Sequence, residues 1–238
     1  MTDSTEVESS SLLNTAVNVL VSPSEAFATI RQRPTKLFPL ALVLLSTMAV
    51  MFWYFNIVDF EWYVDDVLAG ANLDNDELEQ AREQMTSMPQ TTFAMFGILG
   101  AGLGLMVMYV LQAGYLSLSS ALSGSGQKFG DWFSLVLWAG LPYLLSIVGM
   151  IANILLSPNG QLSAYTLDPL SFTNLGMQSS NDSLSALFNT LNLTMFWSLV
   201  LTVLAYRQWT DCGMGKAMAI VLAPYLLIAG VWTYFAFT

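Results

Sequence analysis

The 238-residue sequence contains no histidine, one cysteine and few charged residues. Without histidine, the chain has no imidazole for general-base catalysis, for a serine–histidine nucleophile or for metal binding. The single Cys212 excludes disulfides within the chain and a thiolate metal cluster. We therefore expect no enzyme activity, no catalytic residue, no cofactor and no bound metal.

Charged residues make up 10% of the chain and apolar residues 55%, with a mean hydropathy of +0.57. An ordinary soluble domain has about 25% charged and 45–50% apolar residues. This composition predicts an all-α, polytopic membrane protein whose main partner is the lipid bilayer. The net charge of −10 argues against nucleic acid as a partner.

Five uncharged runs are candidate membrane-spanning helices, which need about 20 residues each. They are residues 37–58, 93–122, 133–156, 191–206 and 217–237. The second run would be about 45 Å long as a helix and must tilt or protrude from the membrane. The fourth is the weakest, because the polar residues Asn189, Thr190 and Asn192 precede it or begin it. We predict a bundle of five transmembrane helices over residues 37–238, after an N-terminal segment, residues 1–36.

The charges between the runs alternate in sign. Residues 59–90 hold nine acids and only Arg82, and residues 157–190 hold no lysine or arginine. The other six basic residues fall on the opposite side of the five spans: Arg31, Arg33, Lys36, Lys128, Arg207 and Lys216. The positive-inside rule predicts a cytoplasmic N-terminus, an extracytoplasmic C-terminus and an acidic extracytoplasmic loop.

Two short helices are predicted before the first span. Apolar residues recur at helical spacing from Leu12 to Leu20, and Ser22-Pro23-Ser24-Glu25 has the form of a capping box followed by a helix that stops before Pro34. These helices pack on the protein or lie at the lipid interface, where Arg31, Arg33 and Lys36 would meet the membrane surface.

The acidic loop contains Asp74-Asn75-Asp76, which invites comparison with a calcium loop. The glycine and glutamate that an EF-hand needs at positions 6 and 12 are replaced by Glu79 and Met85. We expect Asp74 or Asn75 to cap a solvated helix that runs toward Met88 and ends at Pro89.

Small residues in the second span make it a candidate for close helix packing. Gly97, Gly100 and Gly104 include a GxxxG pair, and Gln112 is a candidate for an interhelical hydrogen bond. The neighbouring helix could belong to this chain or to a second copy.

Two prolines are candidate helix kinks. Pro142 in the third span and Pro224 in the fifth each begin the sequence Pro-Tyr-Leu-Leu, which hints at related hairpins of the same orientation. Each proline should free the carbonyl four residues earlier, at Trp138 and Ile220.

Several of these stretches resemble the YIP family, five-pass membrane proteins named for interaction with Ypt/Rab GTPases. The similar residues begin at Ser22-Pro23-Ser24-Glu25-Ala26-Phe27, include Pro39-Leu40 and Leu141-Pro142, and end in the Lys216–Pro224 stretch. The likeness covers about residues 22–237 and is closest to the short bacterial branch, which implies five spans and an inner-membrane location. The Tyr-Gly-Pro motif of eukaryotic members does not occur, so Rab binding is not implied.

Two functions are consistent with the sequence. The first is a non-enzymatic membrane organiser or adaptor, which binds lipid, other membrane proteins or a second copy of itself through small-residue faces. The second is a permease for a small neutral solute, built on the third and fifth helices. We favour the organiser, because the polar residues that could line a pore are scattered.

Overall fold

The computed structural model of the protein describes residues 3–71, 73–157, 159–177, 179 and 181–237, and in residues 3–11 and 182 it describes the backbone alone. The described residues form eleven helices and no sheet. They are α1 (Asp3–Val21), α2 (Pro23–Gln32), α3 (Leu37–Ile57), α4 (Phe60–Ala69), α5 (Asn75–Ser87), α6 (Gln90–Leu122), α7 (Phe129–Ala139), α8 (Tyr143–Leu156), α9 (Asp182–Thr190), α10 (Leu193–Thr210) and α11 (Met214–Phe237).

Four helical stretches in the described residues are long and apolar enough to cross a membrane: α3, α6, the stretch Phe129–Leu156 formed by α7 and α8, and α11. They coincide with four of the five predicted spans. The other prediction, residues 191–206, corresponds to α10, which also carries Arg207, Gln208 and Thr210 in its last turn. The chain is therefore an all-helical membrane protein.

The N-terminal segment forms two helices, and α1 begins well before the predicted Leu12. Pro23 opens α2 as predicted, but the predicted capping box is wrong: the Ser22 side chain makes no cap hydrogen bond. The Ser22 backbone carbonyl instead accepts from the amides of Glu25 and Ala26 at 3.1 and 3.2 Å. One face of α2 is buried against α7 and α10, including Phe27 and Ile30.

Two hydrophobic cores lie at opposite ends of the bundle. We call the first the basic-end core, because the basic residues other than Arg82 lie around it; Trp132 is its centre, with ring centroids 5.3 Å from Tyr206 and 5.5 Å from Trp209. The second, the acidic-end core, joins α3, α4 and α8 through Tyr54, Tyr63 and Ile147. The basic-end core also includes Ala217 and Val221 of α11, the only residues of that helix that are buried in the described part of the chain.

The acidic segment between α3 and α6 is helical. Asp74 caps α5 in a capping box with Glu77, so the predicted capped helix is confirmed. Asp59 caps α4 by accepting from the Trp62 amide at 3.2 Å. Arg82 of α5 pairs with Asp65 of α4 at 2.5 Å, which joins the two helices at an exposed surface.

Candidate functional site

Four polar side chains meet between α8 and α10, in a bundle that is otherwise apolar. We call Ser146, Asp168, Asn192 and Thr194 the Asp168 cluster. Asn192 is its hub: its Nδ2 donates to Ser146 Oγ at 2.9 Å and to the Asp168 carboxylate. Its Oδ1 accepts from the Thr194 amide at 2.7 Å and from Thr194 Oγ1 at 2.6 Å. Asn192 thus caps α10 and ties it to α8 with the same side chain.

Asp168 reaches this position because the chain after α8 turns back along that helix. Asn153 Nδ2 donates to the carbonyls of Thr166 and Leu167 at 3.0 and 3.2 Å. Gly149 makes room for Pro169, since a Cβ on Gly149 would lie 2.6 Å from the proline ring. These contacts place irregular backbone against the middle of α8.

The cluster is shielded by the surrounding helices: Ser146 and Thr194 are buried, and Asp168 and Asn192 are half-buried. Irregular backbone that packs against a helix must have its polar groups satisfied. Asn153 does this for two carbonyls, and the Tyr54 hydroxyl does it for Leu162 at 2.8 Å.

Burial raises the pKa of Asp168, and hydrogen bonds from the Leu170 amide and from Ser146 and Asn192 partly oppose this effect. The carboxyl group is therefore a half-buried acid held by several donors. Sequence reasoning missed it, because no acid occurs inside the five uncharged runs and Asp168 belongs to the connection between two of them. Two features of the sequence could have indicated the site. Asp168 is a carboxylate in a segment without basic residues, and the cap residue Asn192 follows that segment.

The predicted packing residues of α6 have different surroundings. A Cβ on Gly97 would lie 2.8 Å from the Phe55 ring, so this glycine allows close contact with α3. Gly100 and Gly104 are exposed, and among the described residues no atom lies within 4 Å of a Cβ built on either. Gln112 is half-buried, and its amide has no hydrogen-bond partner in the described part of the chain. Among these three glycines, Gly97 is thus the one that closely meets another helix in the described part of the chain.

The two prolines act differently. Pro142 does not kink a continuous helix: α7 ends at Ala139, and Pro142 caps α8 after a three-residue break. The Trp138 carbonyl is not free, because it accepts from the Leu141 amide at 3.2 Å. Pro224 lies inside the continuous helix α11, and the carbonyl it releases at Ile220 accepts from the Tyr115 hydroxyl at 2.8 Å. The prediction of two free carbonyls is therefore wrong, because both accept a hydrogen bond.

The predicted membrane-surface cations share one end of the bundle with the later basic residues. Arg31 of α2 donates to the Gln208 carbonyl of α10 at 3.4 Å. The Nζ of Lys36 lies 2.8 Å from where a Cβ on Gly130 would stand, beside the start of α7. Arg33 is exposed just after α2, and Lys216 lies in the first turn of α11. We call this the basic end.

A long apolar groove runs between α10 and α11, with a volume of about 670 Å³. Its walls include Phe196 and Val200 of α10 and Met218 and Leu222 of α11, and Met108 of α6 contributes to it. The groove could not be predicted from the sequence, because its shape depends on how α10 and α11 pack against each other.

Comparison with protein families gives one match, to the Yip1 domain, over residues 17–235. This range includes every helix from α2 to α10 and almost all of α11. The chain belongs to the Yip1 family. The resemblance found in the sequence is thereby confirmed, and no curated protein or solved structure matches the chain significantly.

The stretch that begins at Ser22, which carried part of the resemblance, lies inside the range matched by the Yip1 domain. In this Yip1 protein that stretch forms α2, which docks on α10 by two hydrogen bonds besides that of Arg31. The indole Nε1 of Trp209 donates to the Phe27 carbonyl at 3.0 Å, and Gln208 Nε2 donates to the Ser24 carbonyl at 3.0 Å. The stretch thus builds the basic end of the domain.

Proposed function

We propose that this Yip1 family protein is a non-enzymatic membrane organiser or adaptor that binds partner helices through the exposed glycine face of α6. The observation that carries the proposal is the open space at Gly100 and Gly104. Two such glycines one helical turn apart let another backbone approach closely, which is the main source of helix association in lipid. Other membrane proteins or a second copy of this chain are the partners of this kind.

The proposal includes five spans, with α10 as the fourth. Its lower hydropathy is compatible with a membrane position, because its serine and threonine hydroxyls have hydrogen-bond partners. Ser198 Oγ donates to the Thr194 carbonyl at 2.9 Å, and Thr202 Oγ1 donates to the Ser198 carbonyl at 2.7 Å. Thr194 and Thr202 are also buried, so neighbouring helices shield them from lipid.

We propose that the basic end faces the cytoplasm of a bacterial cell and that the domain lies in the inner membrane. Five spans then leave the C-terminus outside. The exposed side chains Leu13, Val17 and Val21 form an apolar strip on α1, and the exposed cations Arg31 and Arg33 lie at the end of α2, which packs against α1. That combination supports contact of the N-terminal helices with the lipid interface.

The test is affinity purification of the tagged protein in mild detergent, with mass spectrometry of the proteins that co-purify. A Gly100→Leu/Gly104→Leu variant should lose its partners, because two leucines fill the close-approach face. Gly230→Leu is the matched control, since this glycine of α11 is also exposed with open space beside it. The control should keep the partners.

Two results would overturn the proposal. The first is equal recovery of partners by the double variant and the wild-type protein. The second is a chain that purifies without partners and carries a neutral solute across liposome membranes, which is the result that the permease alternative expects.

A further inference from the structure

The groove between α10 and α11 is apolar along its length and open on one side. Its lining reaches from Met214, at the basic end of α11, to Trp232 near the other end. These residues are 18 positions apart, which corresponds to about 27 Å along the helix. The acyl chains of one leaflet fill about half of a 30 Å hydrocarbon core, so the half of the groove next to the basic end is long enough for one of them.

The chemistry of the groove indicates its occupant. Its lining is apolar apart from Thr190, Tyr225 and Trp232, and a surface of this kind on a membrane protein is matched by lipid tails, which are as apolar as leucine. The wall residues Val200 and Leu226 are 58% and 67% exposed, so a chain can enter from the side.

The two ends of the groove differ. At the far end α9 closes it with Leu187 and Thr190, and the indole Nε1 of Trp232 holds α9 by donating to the Ser183 carbonyl at 2.9 Å. At the basic end it has no such cover, and the α10 wall continues in register to a cation. Phe196, Val200 and Val203 are followed at the next turn by Arg207, which is exposed.

Arg207 has the chemistry to receive a headgroup. Among the described residues, no carboxylate pairs with its guanidinium. A guanidinium binds phosphate through two parallel hydrogen bonds, which gives it preference for this group over a neutral one. An apolar channel that ends in an unpaired arginine is complementary to a lipid with an anionic headgroup.

We infer that the groove binds one acyl chain of an anionic phospholipid of the cytoplasmic leaflet, with the lipid phosphate on Arg207. The inference deepens the proposed function, because it rests on the proposed orientation and names the lipid that the organiser would hold. The exposed glycine face of α6 would then bind partner helices, and the groove would bind a lipid.

The experiment is native mass spectrometry of the full-length protein in mild detergent, after addition of phosphatidylglycerol or phosphatidylcholine. The wild-type protein should retain one phosphatidylglycerol. Arg207→Gln should lower that retention about tenfold and lower the weaker retention of phosphatidylcholine less, because phosphatidylcholine carries the phosphate but no net negative charge. Arg33→Gln is the matched control for charge, as it removes an exposed cation of the same end that is outside the groove.

Filling the groove tests the acyl-chain contact. Val200→Trp and Met218→Trp place an indole in the channel from opposite walls, and each should lower retention of phosphatidylglycerol about tenfold. Leu111→Trp, at an exposed residue of α6 outside the lining, should behave as the wild-type protein. Two groove variants are used so that one that fails to fold, as judged by its thermal unfolding, does not decide the result.

Wild-type retention by folded groove variants would overturn the inference, and so would equal retention of phosphatidylcholine and phosphatidylglycerol. Lipid retention is measured on the purified chain, so it is independent of protein partners. A failure here with loss of partners in Gly100→Leu/Gly104→Leu would remove the lipid site and leave the organiser function standing. Retention of phosphatidylglycerol as expected, together with unchanged partners in Gly100→Leu/Gly104→Leu, would remove the organiser function and leave the lipid site standing.

Discussion

The Tyr115 hydroxyl of α6 donates a hydrogen bond of 2.8 Å to the Ile220 carbonyl of α11. Ile220 is the residue whose carbonyl would normally accept from position 224, where Pro224 has no N–H. A neighbouring helix thus supplies the donor that proline removes. This bond fixes α6 to α11 near the basic end, and it allows α11 to continue as one helix through the proline.

Replacing this donor should be costly only while the proline is present. Tyr115→Phe should lower the free energy of unfolding by about 1 kcal/mol, because the Ile220 carbonyl loses its partner. In a Pro224→Ala background the alanine N–H can bond to the same carbonyl, so Tyr115→Phe should cost close to nothing. Unfolding in detergent, followed by circular dichroism on the four variants, measures the difference. An equal cost in both backgrounds would show that the bond does not compensate for the proline.

Removal of the Trp209 indole should release α2. The side chain is 2% exposed, and its Nε1 bonds to the Phe27 carbonyl. Trp209→Phe should cost about 2 kcal/mol, since it leaves a carbonyl without its donor in a buried site. Trp197→Phe, at a residue 45% exposed, is the control and should have little effect. Thermal unfolding and the rate of tryptic cleavage after Arg31 report the change; unaltered cleavage in Trp209→Phe would argue that α2 docks by other contacts.

The raised pKa of Asp168 makes stability depend on pH. Between the ordinary value of 3.8 and the raised native value, the native state holds more protons at this carboxyl than the unfolded state does. The free energy of unfolding should therefore fall as pH rises through that interval, and this contribution to stability is fully present only below it. Melting temperatures in detergent from about pH 4 to pH 7 measure the slope. Asp168→Asn should remove this part of it.

Asp76→Asn is the control for that experiment, because Asp76 is an exposed acid of α5 far along the chain from the Asp168 cluster. It should keep the wild-type slope. If Asp168→Asn also keeps it, the pH dependence arises elsewhere.

Fusions of a reporter that fluoresces only in the cytoplasm test the orientation. Fluorescence is expected after Lys128, whose side of the bundle carries the basic residues, and none is expected at Asp76 or after Thr238. Fluorescence after Thr238 would mean that α10 does not cross the membrane, which would leave four spans and both ends inside.

Patterns local in sequence predicted much of this fold. The uncharged run 37–58 ends within one residue of α3, and Asp74, one of the two predicted cap residues, caps α5. Pro142 indicated where the run 133–156 would bend, but a kink in one helix was predicted and two helices with a break between Ala139 and Tyr143 are found, because the proline alone does not show whether the helix continues. The Asp168 cluster was missed for a different reason: Asn192 and Ser146 are 46 positions apart, and only tertiary packing brings them together.

The basic-end core can be completed only late in the synthesis of the protein. Phe27 and Trp209, which bond to each other there, are separated by 182 positions, and Ala217 and Val221 of α11 complete the same core. Until α10 has been made, Phe27, Ile30 and Trp132 lack the partners that α10 supplies, and the nascent chain leaves them partly exposed. This core therefore closes only after α10 and the start of α11 have been made. A product truncated before Trp209 is expected to expose an undocked N-terminal helix to the chaperones and proteases that remove incomplete membrane proteins.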